Sequence, residues 1–188
     1  MIYLLDANVL ITASNKYYLI NRIPEFWEWL LYQANAGNVK MPREIIEEVL
    51  EGRKKDDLLL DWMKDNKDIL LLNEDVDPIL FRQVVEEGYA PDLNDSEVEG
   101  LGKDPFLVAY ALAESNRSVV TTEVSAPAKT RQNRKLPNVC ETFSVGRTGP
   151  YRVFEPGGIP VSGSEFIDGS NLGYDGRTKG HPAGSLEL

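Results

Sequence analysis

The chain opens with a short apolar run that ends in an acidic residue. Residues Ile2 to Leu5 form this run and Asp6 follows it, a pattern that predicts a buried β-strand with an acid at its carboxyl end. Further strands are predicted at Val39 to Met41, at Ile69 to Leu72 and at Ser118 to Thr122. Segments with helical spacing separate these strands, and such alternation predicts an α/β fold with a mainly parallel sheet.

The predicted helices have apolar residues that recur at helical spacing, and several begin at proline or end at glycine. They cover Ala7 to Ser14, Pro24 to Ala36, Pro42 to Gly52, Asp56 to Lys64, Val76 to Glu87 and Pro105 to Ser115. The last of them is almost entirely apolar, which predicts that it is buried on nearly all sides. The polar segment from Tyr89 to Lys103 shows no period and is predicted to be a loop.

Length and composition favour one soluble domain. The 188 residues are 42% apolar and 27% charged, which is ordinary for a globular chain. No stretch approaches the roughly 18 apolar residues of a membrane span, and the early acid is unlike a signal peptide. Cys140 is the one cysteine, which excludes an internal disulfide and a multi-cysteine zinc site. We therefore expect a cytoplasmic protein that does not associate with membranes.

The net charge is −10 at pH 7, and the acidic excess lies in residues 1–125. This balance argues against a protein that binds nucleic acid through general attraction to phosphate. A local group of basic side chains or a bound metal can still reverse the local sign.

Glycine and proline become frequent after residue 145, which predicts a change in organisation there. We expect residues 1–145 to form the main domain and residues 146–166 to form a C-terminal extension that packs on it. Residues 167–188 contain almost no apolar side chains and are predicted to be a poorly ordered, glycine-rich tail.

Acidic residues stand where an open parallel sheet places its sites, outside the carboxyl ends of the strands. Asp6 and Glu123 each end a predicted strand, and Asp104 begins the buried helix that leads into the second strand. Two carboxylates about 4 Å apart repel by about 4 kcal/mol at an effective dielectric near 20. A cation would offset this cost, and carboxylate oxygens suit Mg²⁺ or Mn²⁺. If the acids cluster, the chemistry they favour is metal-dependent phosphodiester hydrolysis.

A fourth acid can come from the Pro42 to Gly52 helix, where spacing alone leaves the choice open. Glu47 and Glu48 flank the apolar stripe of this helix on opposite sides. Asp104 also has a second interpretation, because an aspartate followed by proline is typical of a helix start at which the side chain caps the backbone. One side chain can do both.

Four segments carry these acids in order along the chain: Asp6 to Leu10, Pro42 to Gly52, Asp104 to Ala111 and Val119 to Glu123. Together they resemble the motifs of the PIN-domain family. No single motif is specific, but their ordered combination is.

Three features resemble a PIN-like subgroup. They are the helix with Trp27 and Trp29, the strand from Val119 to Glu123, and the segment Leu136 to Glu141. The subgroup is bacterial and archaeal, is known only as a domain of unknown function, and lies near the toxins of type II toxin–antitoxin pairs. The resemblance covers about residues 1–143.

The resemblance implies a three-layer α/β/α fold in which residues 1–145 form a nuclease domain for single-stranded RNA. It assigns four acids to catalysis and to binding Mg²⁺ or Mn²⁺: Asp6, Glu48, Asp104 and Glu123. It also implies that Asn8 and either Thr121 or Thr122 support the metals or the scissile phosphate. Glu123 departs from the family pattern, where aspartate is frequent, and its longer side chain implies a weak or absent second metal. The implied partners are an RNA substrate, a cognate antitoxin protein and a second copy of the chain.

A group of basic residues follows the fourth acid, and we call it the basic strip. It consists of Lys129, Arg131, Arg134 and Lys135. In an otherwise acidic chain these side chains are the best candidates for contact with a phosphate backbone. The alternative is a solvated loop, and no aromatic residue within the strip supports base stacking.

Two other functions compete with this hypothesis. The order Asp6-x-Asn8 resembles the nucleophile loop of haloacid-dehalogenase-type phosphatases, but Asn8 cannot act as their general acid and no later lysine motif is evident. The other alternative is a catalytically weak or inactive PIN-like protein that acts through a protein partner, because a fold does not guarantee activity.

Overall fold

A four-stranded parallel sheet lies at the centre of the computed structural model, which describes residues 1–51 and 56–154. The strand order is β2-β1-β3-β4, and every pairing between these strands is parallel. The strands are β1 (Ile2–Leu5), β2 (Val39–Lys40), β3 (Arg117–Val120) and β4 (Gly146–Thr148). Helices flank the sheet, so the predicted α/β fold with three α/β/α layers is confirmed.

The helices connect and cover these strands. They are α1 (Ala7–Thr12), α2 (Pro24–Asn35), α3 (Arg43–Glu51), α4 (Leu58–Leu70), α5 (Pro78–Gly88), α6 (Asp95–Glu99), α7 (Asp104–Leu112), α8 (Leu136–Thr142) and α9 (Pro150–Phe154). A π-helical segment, Ala13–Tyr17, continues α1, and a 3₁₀ turn, Arg131–Asn133, precedes α8. No helix of the described ranges is long and apolar enough to cross a bilayer.

The two central strands are buried and in register. Leu4 lies opposite Val119 and Leu5 opposite Val120, and all four side chains are fully buried. A parallel strand covered on both faces needs a continuous apolar sequence, which explains the run that opens the chain. Because the strands end side by side, the residues that follow them leave the sheet at the same edge.

Helix α7 is buried as its apolar sequence predicts. Its buried residues are Pro105, Leu107, Val108, Ala109, Tyr110 and Ala111. They pack mainly against α5, β3 and α8. This burial fixes the first residue of α7 close to the carboxyl edge of the sheet, where the candidate site lies.

The predicted strand at Ile69 to Leu72 is wrong. Helix α4 continues through Leu70, and Leu71 makes only a single bridge to Met41. Leu59, Met63 and Leu70 lie on one face of the helix and are all buried. The first half of the apolar run is therefore the last turn of α4, and only Leu71 is left to bridge the residue after β2.

The segment from Tyr89 to Lys103 is not entirely a loop, because it contains α6. The Asn94 side chain accepts from the Glu97 backbone at 3.0 Å, and the Glu97 carboxylate accepts from the Asn94 backbone at 3.0 Å. This reciprocal capping box satisfies two backbone donors at the start of the helix. An asparagine followed three residues later by glutamate is the sequence signal for it.

The sheet continues past the predicted boundary at residue 145. Thr148 of β4 lies opposite Val120, and Val153 of α9 is 1% exposed. The ring of Phe154 lies edge-on to Phe26, with centroids 5.0 Å apart. Residues 146–154 are therefore an edge strand and a helix of the same core. The remainder of the predicted extension, 155–166, and the predicted tail, 167–188, lie outside the described residues.

Candidate active site

Asp6 is buried at the point where β1 meets α1. It is the N-cap residue of α1, and its Oδ1 accepts from the Asn8 backbone N–H at 3.2 Å. Its Oδ2 accepts from the Thr121 hydroxyl at 2.7 Å. Burial raises the pKa of Asp6, with a further contribution from the charge of Glu123, while the bonds from Thr121 and Asn8 oppose the rise. Asp6 is thus an oriented carboxyl group whose charged form is disfavoured by its surroundings.

Thr121 joins the ends of the two central strands. Its hydroxyl donates to Asp6 and accepts from the Glu123 backbone N–H at 3.0 Å. The sequence leaves Thr121 and Thr122 as alternatives for a supporting role. Thr121 is buried and contacts Asp6, whereas Thr122 is half-buried and lines a neighbouring cavity.

Of the two candidate glutamates on α3, Glu48 is the one whose carboxyl group is affected by the charge of Asp6. Ile45, Ile46 and Val49 bury the inner face of α3. Glu48 is half-buried and Glu47 is exposed. Burial raises the pKa of Glu48, the charge of Asp6 raises it further, and the ammonium of Lys103 lowers it.

Asp104 is the first residue of α7 and does not cap it. The N-cap position is held by Lys103, without a side-chain hydrogen bond to the helix. Asp104 is half-buried. Its pKa is raised to about 7, first by burial and then by the charges of Asp6, Glu123 and Glu48, against a smaller effect of Lys135. The charges of the other three predicted acids thus all act on Asp104, and we call the four residues Asp6, Glu48, Asp104 and Glu123 the acidic edge.

Glu123 differs from the other three acids because its carboxylate is paired with a cation within the fold. One oxygen accepts from the ammonium of Lys135 at 2.8 Å, and the other accepts from the Leu136 backbone N–H at 2.9 Å. These contacts connect the end of β3 to the start of α8.

The donors of the acidic edge suit a hard divalent cation. Glu48 and Asp104 accept no hydrogen bond from any described residue, so their oxygens are available, and burial with mutual repulsion disfavours their charges. As the side chains stand, however, no three His, Cys, Asp or Glu residues within the described ranges are arranged to hold a metal ion. Asp6, Glu48 and Asp104 fit Mg²⁺ or Mn²⁺ by chemistry, but a bound ion would have to draw them together.

Arg131 of the basic strip is held by acids. Its guanidinium donates to both carboxylate oxygens of Glu97 at 2.7 Å and to the carboxylate of Asp92 at 2.7 Å. This pairing lowers the pKa of Glu97 to about 2. Two carboxylates offset the charge of Arg131, so it does not present a free cation to a phosphate backbone.

Two of the other three side chains of the basic strip also make contacts within the fold. Arg134 donates to the backbone carbonyls of Gly88 and Asn138 and to the Thr142 hydroxyl, while Lys135 pairs with Glu123. Lys129 is exposed and makes no such contact with the described residues. Of the four candidates for phosphate contact, Arg131 and Lys135 are thus paired with carboxylates, whereas Lys129 and Arg134 have no carboxylate partner among the described residues.

One family matches residues 3–159, and its description is a domain of unknown function, DUF4411. The chain belongs to the DUF4411 family. No curated protein and no solved structure matches it.

The DUF4411 chain places one further polar group beside the acidic edge that sequence reasoning missed. Tyr89 is 7% exposed, and its hydroxyl is buried with no hydrogen-bond partner among the described residues. Burial raises its pKa, and the nearby charges of Asp104 and Glu123 contribute. The sequence shows only a tyrosine after the glycine that ends α5, so no local signal points to this position.

Proposed function

We propose that this protein is a metal-dependent ribonuclease that hydrolyses phosphodiester bonds of single-stranded RNA with Mg²⁺ or Mn²⁺. The observation that supports this most is the acidic edge, where burial and three neighbouring acids raise the pKa of Asp104 to about 7. Carboxyl groups perturbed by both burial and like charges are typical of functional sites. Their position outside the carboxyl ends of parallel strands is the usual place for a site in such a sheet.

In this proposal, three carboxyl groups bind the ion and the neighbouring residues orient them. Asp6, Glu48 and Asp104 would hold it, and Thr121 fixes the direction of the Asp6 carboxylate through a 2.7 Å hydrogen bond. When bound, the metal lowers the pKa of a coordinated water and stabilises charge on the phosphate. A cation would also lower the pKa of Asp104 again, because it favours the charged carboxylate.

The biological setting that we propose rests on the sequence resemblance to PIN-domain toxins. In that setting the protein acts in the cytoplasm as the toxin of a type II pair, and a cognate antitoxin protein holds it inactive. RNA is then the substrate, and a second copy of the chain is a further candidate partner.

A specific observation favours a second candidate, a catalytically weak or inactive protein that binds a partner. Both carboxylate oxygens of Glu123 are occupied, by Lys135 and by the start of α8. Unless Lys135 releases this carboxylate, at most three acids remain for metal binding. A site with so few ligands could bind without efficient turnover.

Cleavage of a short unstructured RNA by the purified full chain separates the two candidates. We expect cleavage with Mg²⁺ or Mn²⁺ that EDTA stops. Asp6→Asn should reduce the rate by more than the roughly 10- to 100-fold that losing an outer-shell group costs. Asp75→Asn is the matched control, because Asp75 is 94% exposed and its nearest cation lies 3.8 Å away.

Three results would contradict the ribonuclease proposal. They are cleavage that persists in EDTA, unchanged cleavage by Asp6→Asn, and no cleavage by a wild-type chain that is folded and supplied with either metal. The last result, together with tight binding of a protein partner, would favour the second candidate.

A further inference from the structure

A cavity of about 310 Å³ opens beside the acidic edge. Glu123 and Thr121 form part of its wall, so it is continuous with the candidate active site. The π-helical segment after α1 supplies Ala13 and Tyr17, and Gly149 after β4 also lines the cavity. A cavity of this size lies near the lower limit of the roughly 300–1,000 Å³ of small-molecule sites.

Two aromatic rings that line this cavity, those of Tyr18 and Phe154, are held from behind by Phe26. The ring of Tyr18 stacks on Phe26, with centroids 4.0 Å apart and planes 8° apart, and Phe154 lies edge-on to Phe26. The indole of Trp27 donates to the Tyr18 carbonyl at 2.7 Å. Rings that are already held in place lose little freedom when a flat ligand packs against them.

Polar groups with unused hydrogen-bonding capacity border the aromatic wall. The hydroxyls of Thr12 and Thr122 line the cavity and make no hydrogen bond within the described part of the chain. Together with the rings, they suit a flat molecule that has apolar faces and polar edges. A nucleic-acid base has this chemistry.

Charge explains why base binding is needed. The chain carries a net charge of −10, and three of the four cations of the basic strip are engaged in internal contacts. Two of these cations, Arg131 and Lys135, are paired with carboxylates, which reduces what the strip adds to attraction for a phosphate backbone. Stacking of a base on an aromatic side chain does not depend on backbone charge.

We propose that this cavity binds one unstacked base of single-stranded RNA, next to the phosphate that is cleaved. The inference rests on the proposed ribonuclease function for its substrate. The cavity meets the acidic edge at Glu123, so a base inside it places the adjoining phosphate at the carboxylates.

Titration with uncharged nucleosides tests the cavity without metal and without cleavage. Adenosine and uridine are added to the full chain in EDTA, and methyl NMR signals of Val9, Thr12, Ala13 and Thr122 report on the cavity. We expect saturable shifts of these signals. The methyl groups of Val124, which is 80% exposed, should not shift.

Gly149→Leu is the variant that fills the cavity. Gly149 lines the cavity, and a Cβ placed there would meet no heavy atom within 4 Å, so a side chain can start at this position without a clash. We expect nucleoside affinity to fall by about 5- to 150-fold, which corresponds to roughly 1–3 kcal/mol of stacking. Ala113→Leu is the matched control, since it adds the same side chain at an exposed position near the other edge of the sheet.

A second pair of variants keeps the test decisive if Gly149→Leu does not fold. Tyr17→Phe should retain nucleoside affinity and Tyr17→Leu should lose it, because only the former keeps a flat ring. The proposal is overturned if no nucleoside shifts the cavity signals, if a filled cavity binds equally well, or if an apolar peptide binds there and nucleosides do not. Nucleoside binding by a chain that cleaves no RNA would overturn the ribonuclease proposal but retain the base site.

Discussion

The two ends of β3 carry charged groups in very different surroundings. At its amino end, the guanidinium of Arg117 is buried and donates to both carboxylate oxygens of Glu74, at 2.7 and 2.8 Å. It also donates to the Tyr110 carbonyl at 2.9 Å. This buried charge has an opposite charge beside it and a neutral acceptor as well.

At the carboxyl end of the same strand, acids face other acids. The carboxyl group of Asp104 accepts no hydrogen bond from a described residue. Its pKa is raised by burial and by the charges of Asp6, Glu123 and Glu48. Lys135 is close enough to act on it but is bound to Glu123.

This difference separates a structural ion pair from a candidate site. Pairing at the amino end offsets the cost of burying Arg117, because each charge has its partner within the fold. Repulsion at the carboxyl end opposes folding, since a buried charge without a partner is unfavourable. A bound cation would supply the positive charge that the acids lack there, which is why we place the functional site at this end.

The largest expected effect is on the pH dependence of stability at the carboxyl end. The pKa of Asp104 is raised from 3.8 to about 7 in the folded chain. The stability from its neutral form is therefore fully present below about pH 4 and is lost as the pH rises through 7. Asp104→Asn should remove this loss. The free energy of unfolding of the variant, relative to wild type, should therefore rise by about 4 kcal/mol between pH 4 and pH 8.

Urea unfolding in EDTA across this pH range measures the gain. Asp75→Asn, an exposed acid outside the acidic edge, should follow the wild-type curve. If the Asp104→Asn and wild-type curves run parallel, Asp104 is an ordinary solvated carboxylate. The carboxyl end of β3 then carries no destabilising charge that distinguishes it from the amino end.

A smaller effect of opposite sign is expected at the amino end. Glu74→Gln removes the charge that faces buried Arg117 and should lower the free energy of unfolding by about 2 kcal/mol. This is less than the roughly 3–5 kcal/mol for breaking a fully buried pair, because the Glu74 side chain is 46% exposed. Thermal unfolding at pH 7 checks it, and a change of less than about 0.5 kcal/mol, typical of a plain surface site, would show that the pair adds nothing.

The centre of the fold could be predicted from the sequence because its strands are buried on both faces. Continuous apolar residues in β1 and in α7 identify buried elements without any tertiary information. The run at Ile69 to Leu72 has the same local character and misled the prediction. The helical state of Ile69 and Leu70 depends on the packing of α4, which local sequence does not reveal.

The acidic edge could be predicted only in part. Strand ends locate Asp6 and Glu123, but the helical period leaves Glu47 and Glu48 equivalent until α3 is packed on the sheet. The basic strip shows a second limit of prediction from sequence, because Arg131 pairs with acids 34 and 39 residues away in the chain. Counting charges along a segment cannot show which of them are offset by distant residues.

The most direct test of the central claim compares two neighbouring glutamates of one helix. Glu48 faces the acidic edge and Glu47 is exposed to solvent, so Glu48→Gln and Glu47→Gln differ in position and not in chemistry. Initial rates of Mg²⁺-dependent cleavage of one unstructured RNA are measured for both variants and for wild type. We predict that Glu47→Gln cleaves at the wild-type rate. The rate of Glu48→Gln should fall by more than about 100-fold, beyond the loss expected for an outer-shell group. Equal rates for the two variants would contradict the assignment of the acidic edge as a metal-dependent ribonuclease site.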